Sequence, residues 1–588
     1  MEFLVSVEAV SFGKVMDDTD DLSAIRGASW AMMAAASGFC DALQARLGDD
    51  VSVTRRFAGA SLARVVAAGD GLTADTVRAA VRDVLGGGSW TGGVRGLAEV
   101  LPFLVFATAV TENDSAVNER ARAARQYRML DTDLPVWRST EEARENVRRD
   151  ENSQRADASG AIRLIDQLQP CVKDRLRPIA RLGWRSADAS RGETDGKPRR
   201  DVPVSASFFA RHEFGRTGRR PVFYEDQAGI PLKNTASLAD SFEEIASEGQ
   251  PERLPVTVRN KMAVLYMDGN AFGRLLKEWE RRGGNADGFA GEMAGKRKAM
   301  LKSLVELFLD DGCADWLQLK EPGKRYLENG EERDTPVLRF ETLMWGADES
   351  MLVFPGWAFP AVIRRLERIL KSGCGRITMP DGAELPLTYG IGCAIGHYKT
   401  PIRAMKRLAV ALADQAKKRG KLLDDGQTGA SPGEMRSFAE YMILSGIDLP
   451  VRKLAAEREA LYGVHGEEAQ RRVFSIPLDG FGETLARFAR VRGEPGGKEA
   501  GAPRAKLAGL LHDAREAGVI GMQDPNPRLL DDLKSLLASH VDSDGASLEN
   551  ALAPAWARQA PLAPLVHLLS LWNYIGIMPP GCGGEDAA

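Results

Sequence analysis

The chain has 588 residues, and its formal net charge is −4, from 78 lysines and arginines against 82 aspartates and glutamates. A chain of this length is expected to form several domains. Its hydrophobic fraction of 44% and charged fraction of 27% are typical of a soluble globular protein, and the slightly acidic balance excludes a stand-alone nucleic-acid binder, which would be strongly basic.

The terminal and cysteine patterns predict a cytoplasmic protein. The N-terminus lacks the basic leader of a signal peptide, and no apolar run reaches membrane-spanning length, so no membrane partner is expected. The six cysteines are scattered and no two of them form a CxxC pair. Neither a disulfide framework nor a zinc site is therefore expected.

The first hundred residues predict a ferredoxin-like unit with the element order β-α-β-β-α-β. Thr73 is a predicted N-cap, because its hydroxyl can accept a hydrogen bond from the first helical turn. The predicted elements are a strand over 2–10, a helix over 20–47, a hairpin of 51–57 and 61–66, a helix from Thr73 to about Leu85, and a strand over 101–110.

The same order recurs in a second segment, which predicts an internal repeat. The first turns of the two copies have similar sequences, Ser11-Phe-Gly-Lys-Val15 and Ala271-Phe-Gly-Arg-Leu275. The predicted elements are a strand over 262–268, a helix over about 286–309, a hairpin over 337–355, a helix over about 358–372, a strand over 385–396 and a helix over 401–419.

The remaining segments predict a helical insert and a helical C-terminal region. Residues 112–260 favour helices and loops, with a polar, mobile loop over 185–200, and the chain after 425 is predicted to be all-helical. Residues 208–224 interleave aromatics with Arg216, Arg219 and Arg220, a composition that suits single-stranded RNA. An exposed β-ribbon explains the same composition equally well.

Two acidic turns carry the candidate chemistry. An apolar strand ends on Asp268, and a hairpin turn carries Asp348 and Glu349. Carboxylates on adjacent strand ends can hold Mg²⁺ ions against a triphosphate, as two-metal nucleotidyl transfer requires. Asp268 and Asp348 are the candidate metal ligands, and Glu349 is a second ligand or a general base. The alternative is that Asp348 is an ordinary turn aspartate.

The glycine-containing turn after Asp268 is a candidate phosphate-binding loop. It leads into a helix, so its backbone N–H groups, those of Gly269, Asn270, Phe272 and Gly273, are candidates for contact with a nucleotide. A strand-to-helix connection of no special function can contain the same glycines.

These blocks resemble the palm of the large subunit of type III CRISPR effector complexes, a member of the GGDEF and nucleotidyl-cyclase superfamily. Gly346-Ala347-Asp348-Glu349 stands at the signature turn, and a third block, Leu387 to Pro401 with its following Ala-Lys-Lys helix, completes the resemblance. It implies an α+β fold with two ferredoxin-like palms, divided as 1–111 (degenerate first palm), 112–260 (helical linker), 261–425 (second palm) and 426–588 (helical C-terminal domain).

The resemblance also implies a function. The family makes cyclic oligoadenylates from ATP with Mg²⁺ or Mn²⁺, in antiviral defence, and its partners are guide RNA, target RNA and other effector subunits. Gly346, Ala347 and Lys417 match nucleotide-contacting positions of the family. The family often has a zinc module in the linker, but Cys171 is the only cysteine there, so no zinc is expected. The chain begins directly with the first palm, without the family's HD nuclease domain.

Two departures leave alternatives open. When the copies are overlaid, Glu8 lies opposite Asp268, but Ala60 and Ser61 lie at the two acids of the hairpin, which predicts that the first palm is structural. Ala347 replaces the usual second glycine of the turn. A catalytically silent RNA-binding and subunit-binding scaffold, and a stand-alone cyclic-dinucleotide synthase, are therefore the alternatives to an oligoadenylate cyclase.

Overall fold

The computed structural model describes residues 1–10, 19, 21–58, 62–88, 90, 94, 96–112, 181–184, 202–215, 219–319, 323–326, 332–346, 348–422, 431–446, 453–493, 501–540, 548 and 551–577. The chain divides into two compact units, and each combines helices with sheets. The first unit consists of Met1–Asp226 with the short segments Ala286–Gly291 and Leu343–Ala347. The second consists of Gln227–Asn285, Glu292–Thr342 and Asp348–Ala588.

The first unit contains a four-stranded antiparallel sheet in the order β2-β3-β1-β4. The predicted N-cap at Thr73 is confirmed, because its side chain accepts a hydrogen bond from the Thr76 amide; Asp21 accepts one from the Ala24 amide at the start of the first helix in the same way. The elements are β1 (Glu2–Ala9), α1 (Leu22–Leu47), β2 (Val51–Ala58), β3 (Leu62–Gly69), α2 (Ala74–Leu85) and β4 (Phe106–Thr111).

The predicted strand over 101–110 is only half correct. A helical turn, Leu97–Val100, continues into a 3₁₀ turn, Leu101–Phe103, before β4 begins at Phe106. Pro102 lies in the first turn of that 3₁₀ segment, where its missing N–H and fixed φ are tolerated. The apolar run therefore begins as a helical turn and becomes a strand only after the proline.

The segment that interleaves aromatics with arginines is helical, so its interpretation as a β-ribbon is wrong. Helices Ala206–Glu213 and Arg219–Ala228 replace the ribbon. Phe208, Phe223 and Tyr224 are buried, which makes them core residues rather than platforms for RNA bases. Arg216 lies outside the described residues, and RNA contact by Arg216, Arg219 and Arg220 stays a prediction.

The second unit carries a six-stranded sheet in the order β6-β7-β5-β8-β9-β10. Its first four strands repeat the spatial order of the first sheet, so the predicted repeat is a repeat of topology. The elements are β5 (Lys261–Gly269), α3 (Phe272–Arg281), α4 (Ala286–Leu309), β6 (Glu341–Trp345), β7 (Glu349–Pro355), α5 (Phe359–Lys371), β8 (Tyr389–His397), α6 (Ile402–Gly420), β9 (Phe438–Ile443) and β10 (Ile476–Pro477).

The prediction that the chain is all-helical after 425 is wrong. β9 adds to the sheet parallel to β8, and β10 pairs antiparallel with β9. A six-residue apolar run such as β9 cannot be told from a buried helix turn by periodicity. The helices of this region are Leu454–Tyr462, Glu467–Phe474, Phe481–Arg492, Arg504–Glu516, Pro527–Ala538 and Ala563–Leu571.

Short elements complete the described chain. Strands Ser237–Leu238 and Val337–Leu338 pair in parallel, whereas the pairs Arg181–Trp184 with Val202–Val204, Gly323–Tyr326 with Glu332–Thr335, and Arg376–Thr378 with Glu384–Pro386 are antiparallel. Short helices span Leu232–Thr235, Phe242–Ala246 and Ala314–Leu317, and 3₁₀ turns span Asp311–Cys313, Gly356–Ala358, Gly373–Gly375 and Ala555–Ala557. No helix among the described residues is long and apolar enough to cross a membrane.

The cysteines depart from expectation at one position. Cys40, Cys374 and Cys393 are free thiols. Cys313 is buried and disulfide-bonded, which the scattered spacing of the cysteines did not indicate. The predicted helices between 113 and 180 and the polar loop over 185–200 lie outside the described residues.

Candidate active site

The acidic cluster forms where β5 ends between its two neighbouring strands. Met262 to Met267 are buried, so the strand is held in the core up to the residue before Asp268. In the sheet register Asp268 lies opposite Glu349 of β7 on one side and Gly390 of β8 on the other. The Gly269 N–H donates to the carbonyl of Asp348 at 2.9 Å, so the structure brings Asp268, Asp348 and Glu349 together.

Two glycines of β8 let helix α6 lie directly on the sheet. A Cβ at Gly390 would stand 2.6 Å from the carbonyl oxygen of Ala413, and one at Gly392 would stand 2.0 Å from that of Ala409. Real Cβ atoms do not approach a backbone oxygen so closely, so both positions require glycine. Because Gly390 is the register neighbour of Asp268, this close packing carries the C-terminal end of α6 to the acidic cluster.

Lys417 of α6 forms an ion pair with Asp268. Its Nζ lies 2.5 Å from Asp268 Oδ2, and the two side chains are only 19% and 14% exposed. An ion pair shielded from water in this way is stronger than a surface pair. The structure therefore places Lys417 in the cluster, and its contact with a triphosphate stays a prediction.

The carboxyl groups of the cluster are electrostatically strained. Burial, and then the negative charge of Asp268, raise the pKa of Asp348, while Lys417 and Arg297 partly oppose the rise. The pKa of Glu349 is raised by partial desolvation of its largely exposed side chain and by Asp348 and Asp268. Like charges held close together favour protonation or the approach of a cation.

Four further residues belong to the cluster and were missed from the sequence. Partial desolvation of the exposed Asp414 side chain and the charge of Asp268 raise the pKa of Asp414. Burial and the charge of Glu349 raise that of Tyr266. Lys421 completes one face of α6 with Asp414 and Lys417, because these residues are spaced three and four apart. The fourth is Arg297 of α4, whose pKa burial lowers although Tyr389 and Asp348 partly restore it.

Sequence signals for some of these residues exist. Tyr266 precedes Asp268 by two residues on a strand, so both side chains point to the same face of the sheet. The spacing of Asp414, Lys417 and Lys421 defines one face of a helix on which Lys417 is already a candidate from the sequence. Nothing local links Arg297 to the hairpin, because the two are brought together only by the packing of α4.

The turn after Asp268 is held by its own protein contacts. The Asn270 N–H donates to the Thr388 carbonyl at 2.8 Å, and its buried side-chain amide donates to Thr388 Oγ1 at 3.1 Å and to the Arg436 carbonyl at 3.2 Å. The Gly269 and Asn270 amides are therefore committed to the protein, which corrects their expected contact with phosphates. Within the expected loop, the amides of Phe272 and Gly273 lie in the first turn of α3, where helices leave N–H groups without internal acceptors.

Gly269 and Phe272 also pack against each other. A Cβ at Gly269 would stand 2.2 Å from the ring of Phe272, so glycine is required there to admit the ring. The Phe272 ring is 8% exposed and lies 5.7 Å from that of Tyr389, centroid to centroid. The Phe272 ring is therefore part of the core. Only the backbone amide of this residue is a candidate for ligand contact at the start of α3.

The remaining predicted positions are the other two residues of the hairpin turn and the matching residues of the first copy. Gly346 lies between β6 and β7, whereas Ala347 lies outside the described residues, so its effect on the turn stays a prediction. In the first unit Glu8 pairs with Leu62 of β3, as Asp268 pairs with Glu349. The overlay of the two copies expected from the sequence is therefore wrong by one residue at the hairpin. In the corrected overlay Ser61 and Leu62 take the positions of Asp348 and Glu349, and neither is acidic.

The acidic cluster is small for a metal centre built from protein side chains alone. Across the part of the chain that the structure describes, no group of three or more His, Cys, Asp or Glu side chains is arranged to hold a metal ion. One oxygen of Asp268 is already engaged by Lys417. The cluster is thus a set of oxygen donors in which a lysine partly neutralises the carboxylates.

Comparison with known proteins gives structural neighbours only. No protein-family model matches the chain, and no curated protein matches it. The Csm1–Csm4 cassette in complex with one ATP aligns with a TM-score of 0.45 and 13% identity, over 97% of this chain and 70% of that chain. The same cassette in complex with cA4 aligns with a TM-score of 0.42 and 13% identity, over 97% and 70%.

A further neighbour is Csm1 from T. onnurineus, with a TM-score of 0.44 and 15% identity over 97% of this chain and 69% of that chain. A Csm1–Csm4 subcomplex from a type III-A CRISPR interference complex aligns at 14% identity with a TM-score of 0.44. The structural neighbours of this chain are thus Csm1 subunits of type III CRISPR complexes, at low sequence identity.

Proposed function

We propose that the chain is a nucleotidyltransferase that makes cyclic oligoadenylates from ATP, as a large subunit of a type III CRISPR effector complex in antiviral defence. The observation that carries the proposal is the convergence of Asp268, Asp348 and Glu349 with Lys417 at one end of the second sheet. Acids from two strands and a lysine from a distant helix form a small anionic site beside a helix N-terminus. This combination suits a metal-bound triphosphate.

The donor set fits a hard divalent cation. Asp268 and Asp348 would hold Mg²⁺ or Mn²⁺, because carboxylate oxygens are the ligands that these ions prefer. The raised pKa of Asp348, caused by burial and by Asp268, is the strain that a cation would relieve. A bound cation would supply charge for the α-phosphate and would make a ribose 3′-hydroxyl more acidic.

The protein groups have separate tasks in this proposal. The amides of Phe272 and Gly273 would meet the terminal phosphates at the start of α3. Lys417, which pairs with Asp268, would turn toward the triphosphate when a cation takes its place on the carboxylate. Glu349 would accept the proton of the attacking 3′-hydroxyl, because a raised pKa makes a carboxylate a better base.

The proposal includes the activating partners. Guide RNA, target RNA and other effector subunits would bind the chain, and target recognition would release synthesis. The principal alternative is a catalytically silent scaffold that binds RNA and partner subunits. A stand-alone cyclic-dinucleotide synthase is the second alternative.

The test is synthesis from labelled ATP or GTP with Mg²⁺, with the protein alone and in a complex assembled with guide and target RNA. Asp268→Ala and Asp348→Ala are compared with Asp531→Ala, whose position on helix Pro527–Ala538 is exposed. Cyclic oligoadenylate that only the first two substitutions abolish would support the proposal. Product from GTP without RNA would favour the stand-alone synthase, and no product in the assembled complex would favour the scaffold.

A further inference from the structure

A second cavity lies at the other end of the central strand of the second unit. It has a volume of about 310 Å³, and the residues that line it include Lys261, Tyr441, Arg458, Arg504, His567 and Tyr574. Lys261 begins β5 and Asp268 lies seven residues further on, so an extended strand separates them by about 23 Å. The cavity is therefore separate from the acidic cluster, and it lies within the size range of small-molecule sites.

Two buried polar groups in the wall of the cavity lack partners. Arg458 is 1% exposed and Tyr574 is 3% exposed. The Nε of Arg458 and the hydroxyl of Tyr574 have no hydrogen-bond partner among the described residues. Proteins rarely leave such atoms unpaired, because each loses its hydrogen bonds to water on burial. Two such atoms in one cavity wall indicate a ligand that would satisfy them.

The charges around the cavity favour an anion. Three cationic residues line it, and no aspartate or glutamate of the described chain does. Glu440 engages Arg458 through Nη2 at 2.7 Å and leaves the Nε atom without a partner. Lys261 donates to the Leu444 carbonyl at 2.7 Å. Lys261 and the exposed Arg504 therefore add positive charge that no described carboxylate in the wall offsets.

The rest of the wall combines fixed polar side chains with aromatic surface. His567 Nε2 donates to the Val473 carbonyl at 2.7 Å, so its Nδ1 accepts from the hydroxyl of Tyr441 at 2.9 Å. Both side chains are thus fixed in orientation. Tyr462 and Phe474 add aromatic surface, and the Arg458 guanidinium lies 4.2 Å above the Phe474 ring. Aromatic walls with a few fixed polar groups are typical of sites for planar ligands.

We propose that this cavity binds a free small anion that carries a planar ring, of the size and chemistry of a nucleoside monophosphate. Arg504 and Lys261 receive the phosphate, and the aromatic wall receives the ring. The Tyr574 hydroxyl and Arg458 Nε each have less than 1 Å² of accessible surface in the free protein, so their side chains rotate slightly to bond the polar edge of the ring.

The test is calorimetric titration of the full chain with AMP, adenosine and inorganic phosphate. It is run on the unmodified protein and on the Asp268→Asn, Asp348→Asn double variant. The double variant shows how much of the binding comes from nucleotide at the acidic cluster rather than in the cavity. AMP is expected to bind both proteins alike, and adenosine and phosphate are each expected to bind at least tenfold more weakly. Tyr574→Phe is expected to weaken AMP binding about fivefold, and Arg504→Gln about tenfold or more.

The melting temperature of each variant without ligand separates lost binding from misfolding. Because the Tyr574 hydroxyl has no partner, Tyr574→Phe should not lower the melting temperature, so any lost binding cannot come from misfolding. AMP affinity that is the same in Tyr574→Phe, Arg504→Gln and the unmodified protein would overturn the site. Loss of AMP binding in the double variant, or phosphate binding as tightly as AMP, would overturn it too. Tighter binding of a 5′-phosphorylated tetranucleotide would overturn its assignment to a free ligand.

Discussion

Replacing Lys417 with methionine tests whether one lysine holds the acidic cluster together. Methionine keeps most of the length of the side chain and removes the charge. We expect Lys417→Met to destabilise the second unit, because Asp268 then faces Asp348 and Glu349 without the lysine that bonds it. A carboxylate left without its partner in a partly buried site retains its desolvation cost.

The magnitude follows from the geometry. At the observed 2.5 Å between Nζ and Oδ2, an effective dielectric constant of about 20 gives roughly 7 kcal/mol of direct attraction. The side chains are 19% and 14% exposed, so desolvation of the two ions cancels much of this attraction. We expect a net loss of about 2–3 kcal/mol, somewhat less than the loss for a fully buried pair.

A double-mutant cycle by urea unfolding measures the pair itself. It compares Lys417→Met, Asp268→Asn and the double variant with the unmodified chain, and the expected coupling energy is about 2 kcal/mol. Urea is used because it does not screen charges as a salt would. Lys418→Met is the matched control, since Lys418 is exposed on the same helix, and it should change the free energy of unfolding by less than about 0.5 kcal/mol.

The pH dependence provides a second measurement. Lys417 lowers the pKa values of Asp348, Glu349 and Asp414, so its removal lets all three rise further. A raised carboxyl pKa destabilises the fold above that pKa, and the penalty disappears as the pH falls and the group protonates. The defect of Lys417→Met should therefore shrink toward pH 4. A coupling energy below about 0.5 kcal/mol, or a defect that does not depend on pH, would refute the reasoning.

Three further predictions concern the same unit. Gly390→Ala should push α6 off the sheet and destabilise the fold by about 3 kcal/mol, since the new Cβ would meet backbone atoms of α6. A thermal melt checks this, and Gly273→Ala is the control because the space around Gly273 is open. Asp348→Asn should raise the free energy of unfolding at pH 7 by about 1 kcal/mol while abolishing activity, because it removes a carboxylate whose pKa burial and Asp268 raise; a gain that persists at pH 3 would contradict this cause. Burial lowers the pKa of His567 to about 4, so the free energy of unfolding should fall by up to about 3 kcal/mol as the pH falls from 6.5 to 4. His567→Gln should flatten this part of the pH–stability curve, and an unchanged slope would exclude His567 as its source.

Much of the local structure could be predicted because its causes lie within a few residues. Asp21 and Thr73 bond to amides three residues ahead, so a short sequence window contains both partners. The bounds of α4 match their prediction for a similar reason, as a long helical period is a strong local signal. The position of Asp268 at the end of a strand also followed from the apolar run before it.

Where prediction failed, the deciding partner was distant or the local pattern was ambiguous. β9 has six residues, and its buried Glu440 is compensated by Arg458, which a strand pattern does not reveal. The aromatics between 208 and 224 have the composition of an RNA surface, yet Phe208 and Tyr224 are buried in the core. Composition reports which side chains are present, but burial depends on what packs over them.

The sequence alone determined most elements of the two repeated copies, the repeat itself and the acids that end one strand and begin another. Only the tertiary structure decided that Lys417 bonds Asp268, 149 residues away, and that Asp414 and Arg297 act on the same cluster. The reason is that the pairing depends on how closely α6 approaches β8, and that distance is set by the missing side chains of Gly390 and Gly392. Electrostatic interactions follow from distances between atoms, and no spacing along the chain encodes those distances.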